Sequence, residues 1–523
     1  MATGQVWIGG EWRDATATAT FVAENPATGT KLTDEYPQSA WADCDAALTA
    51  ALDAARLLRS ASGEDIAAFL EHYAAELEAR ASELVEIANA ETGLPIKPRL
   101  QDVELPRTTT QLRQAAAAAR EGSWQHAVID TKNNIRSHYA PMGPVVVFGP
   151  NNFPFAFNAV SGGDFAAAIA AGCPVIAKAH PLHPGTSRLL AQCASTALAA
   201  SKLPAATVQM LYAVANEDGL KLVSDPRVSA TSFTGSRAGG MRLKAAADAA
   251  GKLTYLEMSS LNPVVLLPGI VAERGDALAT ELADSCLAAS GQFCTSPNLI
   301  LAVAGEATEQ LANVLASTLE KRPAAPLLSQ GGLHGLHEGV QWLVGAGAEV
   351  VTGAAHADGD GWRYKNTLLR ISAGGFLAKR EELQREAFGN ATLLIVADSA
   401  EQMVEVLEAL EGNLTGSIYS ASSSADDAVY EPVAAALRFR VGRLLNNKMP
   451  TGVALSPAMN HGGPFPSTSH PGFTAVGIPR SILRFGALHC YDNVREDRLP
   501  TALRDKAPHA EMWRSVDGNW VRG

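Results

Sequence analysis

Six cysteines occur in 523 residues, Cys44, Cys173, Cys193, Cys286, Cys294 and Cys490, and no two have paired spacing. A chain this long buries enough apolar surface to hold its core without disulfides, so reduced thiols are expected. There is no CxxC pair, no HExxH helix and no close histidine cluster, which gives a metal no support from spacing. Positive charge is in deficit: 42 Lys and Arg against 54 Asp and Glu leave a net charge of -12. Neither nucleic acid nor an anionic membrane has an electrostatic reason to bind such a surface. No apolar run is long enough to cross a bilayer, and the amino terminus lacks a basic stretch followed by an apolar core. A soluble, cytoplasmic protein without internal repeats or low-complexity linkers is expected.

What is present is the material of a large α/β protein. Hydrophobic residues make up 47% of the chain, enough for two or three interleaved domains. From about residue 140 to 270, short β-branched runs alternate with Ala-rich segments at a spacing suited to βαβ units. The strands are expected at Val145–Phe148, Val175–Lys178, Val208–Leu211, 230–233 and 264–267, all apolar because both faces of a parallel sheet are covered. Helices are expected at 159–171, 186–200 and Arg237–Ala249, with Gly172, Pro204 and Gly251 as stop signals. Residues 42–90 and 104–120 read as long amphipathic helices. A second alternation, with strands at Leu299–Val303, Glu349–Thr352 and 393–396, suggests a second α/β domain carrying Cys294 near its start. Residues 447–470, dense in Gly, Pro, Ser and His, read as a long ordered loop.

Cys294 lies in Gly291-Gln292-Phe293-Cys294-Thr295-Ser296-Pro297. A thiolate there adds to an aldehyde carbonyl, and after hydride loss the product is a thioester that water cleaves. A free cysteine is more often a small buried hydrophobe, and Cys173, Cys193 and Cys286, in Ala-rich contexts, keep that reading. Cys294 departs from it because the rest of the chemistry is also present. Asn152, in Pro150-Asn151-Asn152-Phe153, follows a strand and offers an amide donor to a developing oxyanion beside the Cys294 N–H. Glu257, in Leu256-Glu257-Met258, ends another apolar segment and is placed to act as a general base. The turn Phe233-Thr234-Gly235-Ser236-Arg237 opens a helix where a pyrophosphate would meet an amino terminus, and Lys178 closes its strand within reach of a dinucleotide's ribose.

Jointly these motifs resemble the aldehyde dehydrogenase superfamily over most of the chain, including Trp7-Ile8-Gly9-Gly10-Glu11-Trp12 and Asn25-Pro26-Ala27-Thr28-Gly29. The resemblance implies Cys294 as nucleophile, Asn152 as oxyanion donor and Glu257 as base. It implies cofactor contacts from Lys178, Gly235, Ser236, Glu386 and Phe388, with Phe148 counted beside them. Three departures, Ser259-Ser260 after the base, Ala179 after the lysine and Asn390 after Phe388-Gly389, look like the branch of α-ketoglutaric semialdehyde dehydrogenases and bacterial NADP-linked fatty aldehyde dehydrogenases.

The expected fold is α/β and aldehyde-dehydrogenase-like: a Rossmann-type dinucleotide-binding domain (1–121 and 143–262), an α/β catalytic domain (263–470) and a small β oligomerisation element with the C-terminal tail (122–142 and 471–523). Either a homodimer or a homotetramer fits. The cofactor is NADP or NAD. Pro181 stands where NAD-preferring members carry a carboxylate, which permits NADP; Lys178 and His180 are the candidate cations, and the loop 213–219 adds none. For the small-molecule aldehyde, Arg107 is the first candidate to pair a substrate carboxylate, with Ser456, Ser467 and Ser469 as further donors and Phe155, Phe157, Phe293 and Phe465 as tunnel walls. A medium- or long-chain aliphatic aldehyde is the alternative substrate. Retention of Glu257 argues against a CoA-acylating enzyme, and the full catalytic set argues against a non-catalytic homologue.

Overall fold

The computed structural model describes residues 4–17 and 19–523. The first sheet has seven strands in the order Leu253–Glu257, Ala230–Thr234, Val145–Phe148, Val175–Lys178, Val208–Leu211, Gln5–Ile8 and Glu11–Asp14. The first five are parallel, and the amino-terminal hairpin adds two antiparallel strands through Trp7 opposite Met210. Val145, Val146, Val175, Ile176 and Val208 are completely buried, as helices on both faces require.

The second sheet runs Glu349–Thr352, Thr367–Ser372, Ala391–Ala397, Leu299–Val303, Val264–Leu266, Asn413–Tyr419 and Val441–Asn446, parallel except for its first strand. A third, five-stranded sheet joins Val128–Asp130 and Ile135–Pro141 to Gly486–Asp492, Trp513–Val516 and Asn519–Arg522. Two large cores follow: one gathers side chains from Val6 to Tyr255, the other from Leu261 to Val441. Phe473, Ala475, Ile478, Ile482 and Phe485 pack into the first core, so residues 473–485 travel with it and not with the small sheet.

The segment 42–90 is three helices, Trp41–Leu58, Gly63–Ala79 and Ala81–Thr92. The break at 62 has a local cause: Ser62 caps the second helix by accepting from Asp65 N while Asp65 accepts from Ser62 N. The next helix, Leu105–Glu121, is entered through a π-helical stretch, Ile96–Glu104, and stopped by Gly122 at φ 84°. The expected helix at 159–171 is shorter, Gly163–Ala170, because residues before it form turns that bring the Asn152 loop under the sheet edge. Cys173 lies in the turn after that helix; Cys193 and Cys286 lie within helices, and all three are buried. Among the described residues no helix is long and apolar enough to cross a membrane.

Candidate active site

Parallel strands put their carboxyl ends on one edge, and the register of the first sheet aligns the chemistry there. Phe148 pairs with Phe233 and Lys178, and Thr234 pairs with Glu257. The chain leaves these strands into Pro150–Asn152, His180, Gly235-Ser236 and Met258, all at that edge. The candidate nucleophile comes from the opposite side: Cys294 precedes Leu299–Val303 and so stands at the amino end of the second sheet. The two edges face one another across the site.

The turn that carries Cys294 is strained and firmly held. Ala289, Ser290 and Gly291 are consecutively left-handed, at φ 49°, 56° and 68°. Each non-glycine costs roughly 1–2 kcal/mol in that conformation. Gly291 has a second constraint, since a Cβ there would stand 2.1 Å from the Gly389 carbonyl oxygen. Asn262 offsets the strain by donating from Nδ2 to the carbonyls of Cys294 and Ser296, both at 2.9 Å.

Cys294 Sγ lies 3.3 Å from His461 Nε2, and the same nitrogen lies 3.2 Å from Glu257 Oε1. The histidine and glutamate side chains are about 1% exposed. Neither Glu257 oxygen has a hydrogen bond, nor does His461 Nδ1. Burial and, next, the charge of Glu257 push the Cys294 thiol well up, while Arg443 pulls it down. The thiol is therefore protonated at neutral pH until a substrate or base changes the balance. The 447–470 loop delivers His461: its N–H donates to Thr474 Oγ1 at 2.9 Å, and Thr468 pairs with Glu257 in an isolated bridge. Three potential metal ligands thus converge, against the expectation from sequence spacing that none would.

Asn152 Nδ2 donates to the Gln292 carbonyl at 2.7 Å, which sets the amide alongside the Cys294 turn. Its own backbone is gripped by Arg99, whose Nη2 donates to Asn152 O at 3.0 Å. Arg99 pairs with Glu104, which in turn accepts from Phe155 N and Ala156 N at 2.8 and 3.0 Å. This buried pair fixes the loop that carries Asn152.

A cavity of about 460 Å³ opens above the thiol, lined by Asn152, His180, Gly235, Ser236, Glu257, Glu386 and Phe388 among others. Its size suits a bound organic group. The residues fit a dinucleotide. Ser236 caps Arg237–Ala249 by accepting from Gly239 N, so the helix amino terminus points at the cavity. Gly235 is obligatory: a Cβ there would lie 2.7 Å from the Phe233 ring. Glu386 is half-buried and desolvation pushes its carboxyl up to about 7, with Ser259 and Ser260 partly opposing the rise. Burial also lowers Lys178 to about 8, and it has no carboxylate partner among the described residues. Phe148 is buried against Phe233, with Lys178 over its ring at 5.7 Å, so it supports the lysine from below. His180 stacks on His183 at 5.3 Å, and burial drives its pKa far down. It is a neutral hydrogen-bonding ring and not the cation anticipated.

On the far side of Cys294, Phe157 packs on His461 at 5.7 Å and Phe293 stacks on Phe153 at 5.2 Å. Arg107 sits over Phe157 at 5.9 Å and donates from Nη1 to the Val453 carbonyl, leaving Nε and Nη2 buried without partners. Two expected wall residues are elsewhere. Phe155 is completely buried in the first core, because its backbone is tied to Glu104. Phe465 is 54% exposed and covers Arg237 at 5.6 Å, outside the site. Ser467 and Ser469 serve the fold: Ser467 O accepts from Met258 N, and Ser469 Oγ accepts from Leu256 N. Sequence reasoning missed His461, Arg99, Asn262 and Arg443. A lone histidine in an aperiodic loop carries no spacing signal.

The model of the family described as Aldehyde dehydrogenase family matches residues 12–468. The chain belongs to that family. Alpha-ketoglutaric semialdehyde dehydrogenase 2 of Azospirillum brasilense is 40% identical over 524 residues, covering 97% of this chain and 98% of that protein. The alpha-ketoglutaric semialdehyde dehydrogenase of Acinetobacter baylyi is 35% identical, covering 92% of both chains. Among solved structures, a variant of aldehyde dehydrogenase C from Pseudomonas syringae, in complex with NAD+ and octanal, superposes with a TM-score of 0.79 at 19% identity, covering 94% of this chain and 97% of that one. The fold is that of the aldehyde dehydrogenases.

Proposed function

We propose that this member of the family oxidises α-ketoglutaric semialdehyde to the dicarboxylic acid through a thioester on Cys294. The observation that carries the reading is the convergence of Cys294, His461 and Glu257 beside Asn152 and beneath the cavity of about 460 Å³. Cys294 attacks the aldehyde carbon, with His461 Nε2 in reach of the thiol proton. The Asn152 amide and the Cys294 N–H take the oxyanion. A nicotinamide dinucleotide, when bound, accepts the hydride. Glu257, which has no partner beyond His461 and Cys294, activates the water that cleaves the thioester.

The substrate assignment rests on the two named relatives and on unpaired cations. Arg107 and Arg443 are both anchored on one loop: Arg443 Nη2 donates to Pro450 O at 2.7 Å, and Arg107 Nη1 to Val453 O. Neither pairs with a carboxylate among the described residues; Arg107 keeps Nε and Nη2, and Arg443 keeps Nε, buried without partners. Both feel the charge of Cys294. A carboxylate at the far end of a short aldehyde would satisfy them.

Of the cofactors, NADP is favoured over NAD, because Pro181 leaves no carboxylate to repel a 2′-phosphate and Lys178 is unpaired. The division into a dinucleotide-binding domain, a catalytic domain and a small oligomerisation sheet is supported by the separate cores. The small sheet leaves Val128, Ile135, Leu488, Trp513 and Trp520 exposed, an apolar surface suited to a second copy in a homodimer or tetramer. The direct test is reduced-cofactor formation over α-ketoglutaric semialdehyde, succinic semialdehyde, glutaraldehyde and long-chain aldehydes with each cofactor. A higher kcat/KM for an uncharged long-chain aldehyde would overturn the substrate reading.

A further inference from the structure

The side chains of Glu257, Cys294 and His461 bring one ligand atom each to within 4.8 Å of one another, with Glu257 and His461 buried and Cys294 partly open to the cavity. We propose that this trio is also a binding site for a thiophilic divalent cation, Zn²⁺ above all, which holds the enzyme in a reversible inactive state. The geometry is nearly that of an occupied site. Tetrahedral Zn²⁺ with ligands at about 2.0–2.3 Å sets neighbouring ligand atoms about 3.3–3.8 Å apart. Here Sγ to Nε2 is 3.3 Å and Nε2 to Oε1 is 3.2 Å, and all three ligand atoms lie within 4.8 Å of one another, so small side-chain adjustments admit the ion.

Charge and protons balance. The thiol loses its proton to solvent as the Zn–S bond forms, and the thiolate and carboxylate together neutralise the dication, which a buried site requires. His461 binds through Nε2 as the neutral ring and keeps its proton on Nδ1, an atom that otherwise has no partner. Beyond their contacts with His461 and Cys294, the Glu257 oxygens have no hydrogen-bond partner. The fourth position faces the cavity and takes water. No electron moves, and the ion leaves when a chelator or the cofactor and aldehyde compete for the site. While it is bound, the sulfur lone pair needed for attack and the base needed for hydrolysis are both occupied. No other described group of side chains offers three such ligands. The inference stands whichever aldehyde is the substrate.

The test is titration of the purified, cofactor-free protein with cobalt(II) chloride, followed by absorption. One equivalent per chain is expected to give a thiolate-to-cobalt charge-transfer band with the intense visible bands of four-coordinate cobalt, and Zn²⁺ is expected to bleach both. Dehydrogenase activity is lost in parallel and returns with EDTA. Cys294→Ser abolishes the charge-transfer band, and His461→Asn weakens binding by about tenfold or more. Circular dichroism verifies that each variant is folded; His461→Gln stands in should His461→Asn not be. Absence of the band in the wild type, its survival in Cys294→Ser, or unchanged affinity in the folded histidine variant overturns the proposal.

Discussion

His461 Nε2 stands 3.3 Å from Cys294 Sγ, and it is a histidine that no spacing rule singles out. If this nitrogen prepares the thiol for attack, His461→Gln lowers kcat about 10²-fold or more while leaving the KM for NADP nearly unchanged. A variant that folds, binds cofactor and turns over at the wild-type rate assigns His461 a packing role only.

In the proposed mechanism Glu257 acts after hydride transfer. Glu257→Gln is therefore expected to release one equivalent of reduced cofactor in a fast burst and then stall, with steady turnover down about 10²–10⁴-fold. Rapid-mixing absorbance measures both phases. Loss of the burst itself would mean that the carboxylate is needed before the thioester forms.

If Glu386 binds the dinucleotide, it makes cofactor affinity depend on pH. Burial raises its carboxyl to about 7, and the dinucleotide hydroxyls it is proposed to bind are donors that favour the carboxylate. Affinity for NADP should then rise as pH rises through 7, by about tenfold between pH 6 and 8. Fluorescence titration at several pH values reads it, and Glu386→Gln should flatten the curve. The same rise in Glu386→Gln would place the titrating group elsewhere.

If Arg107 and Arg443 hold a substrate carboxylate, they separate substrates and not cofactors. Arg107→Ala or Arg443→Ala should raise KM for α-ketoglutaric semialdehyde about tenfold or more and leave hexanal within about twofold. An equal change for both aldehydes refutes the carboxylate site.

The first sheet was legible because its strands are apolar on both faces and separated by Ala-rich helices of regular length; Val145–Phe148 and Val175–Lys178 match their expected bounds. The second sheet was read only in part. Asn413–Tyr419 is interrupted by Gly416, which is small because Leu437 and Val441 crowd it, and its polar residues hide a fully buried strand. The helix over 42–90 was read too long, since the Ser62–Asp65 capping box lies inside an otherwise continuous Ala-rich pattern. Cys294, Glu257 and Asn152 stood out because each follows or precedes a strand in a recognisable motif. His461, Asn262 and Arg99 reach the site through tertiary packing, with His461 separated from Cys294 by 167 positions, and nothing local marks them. Phe155 and Phe465 were misplaced because a phenylalanine near a motif does not reveal which way its ring turns.

Leu488 and Trp520, 63% and 62% exposed, test the assembly. Replacing both by Glu should shift the protein to a smaller species in analytical ultracentrifugation, with secondary structure retained. An unchanged sedimentation coefficient moves the interface off the small sheet.

The most direct test of the central claim is mass spectrometry of Glu257→Gln after acid quench during turnover with α-ketoglutaric semialdehyde and NADP. The account predicts one acyl group per chain, on the peptide containing Cys294, and none in Cys294→Ala, which should also be inactive. An adduct on another residue, or undiminished turnover in Cys294→Ala, would contradict it.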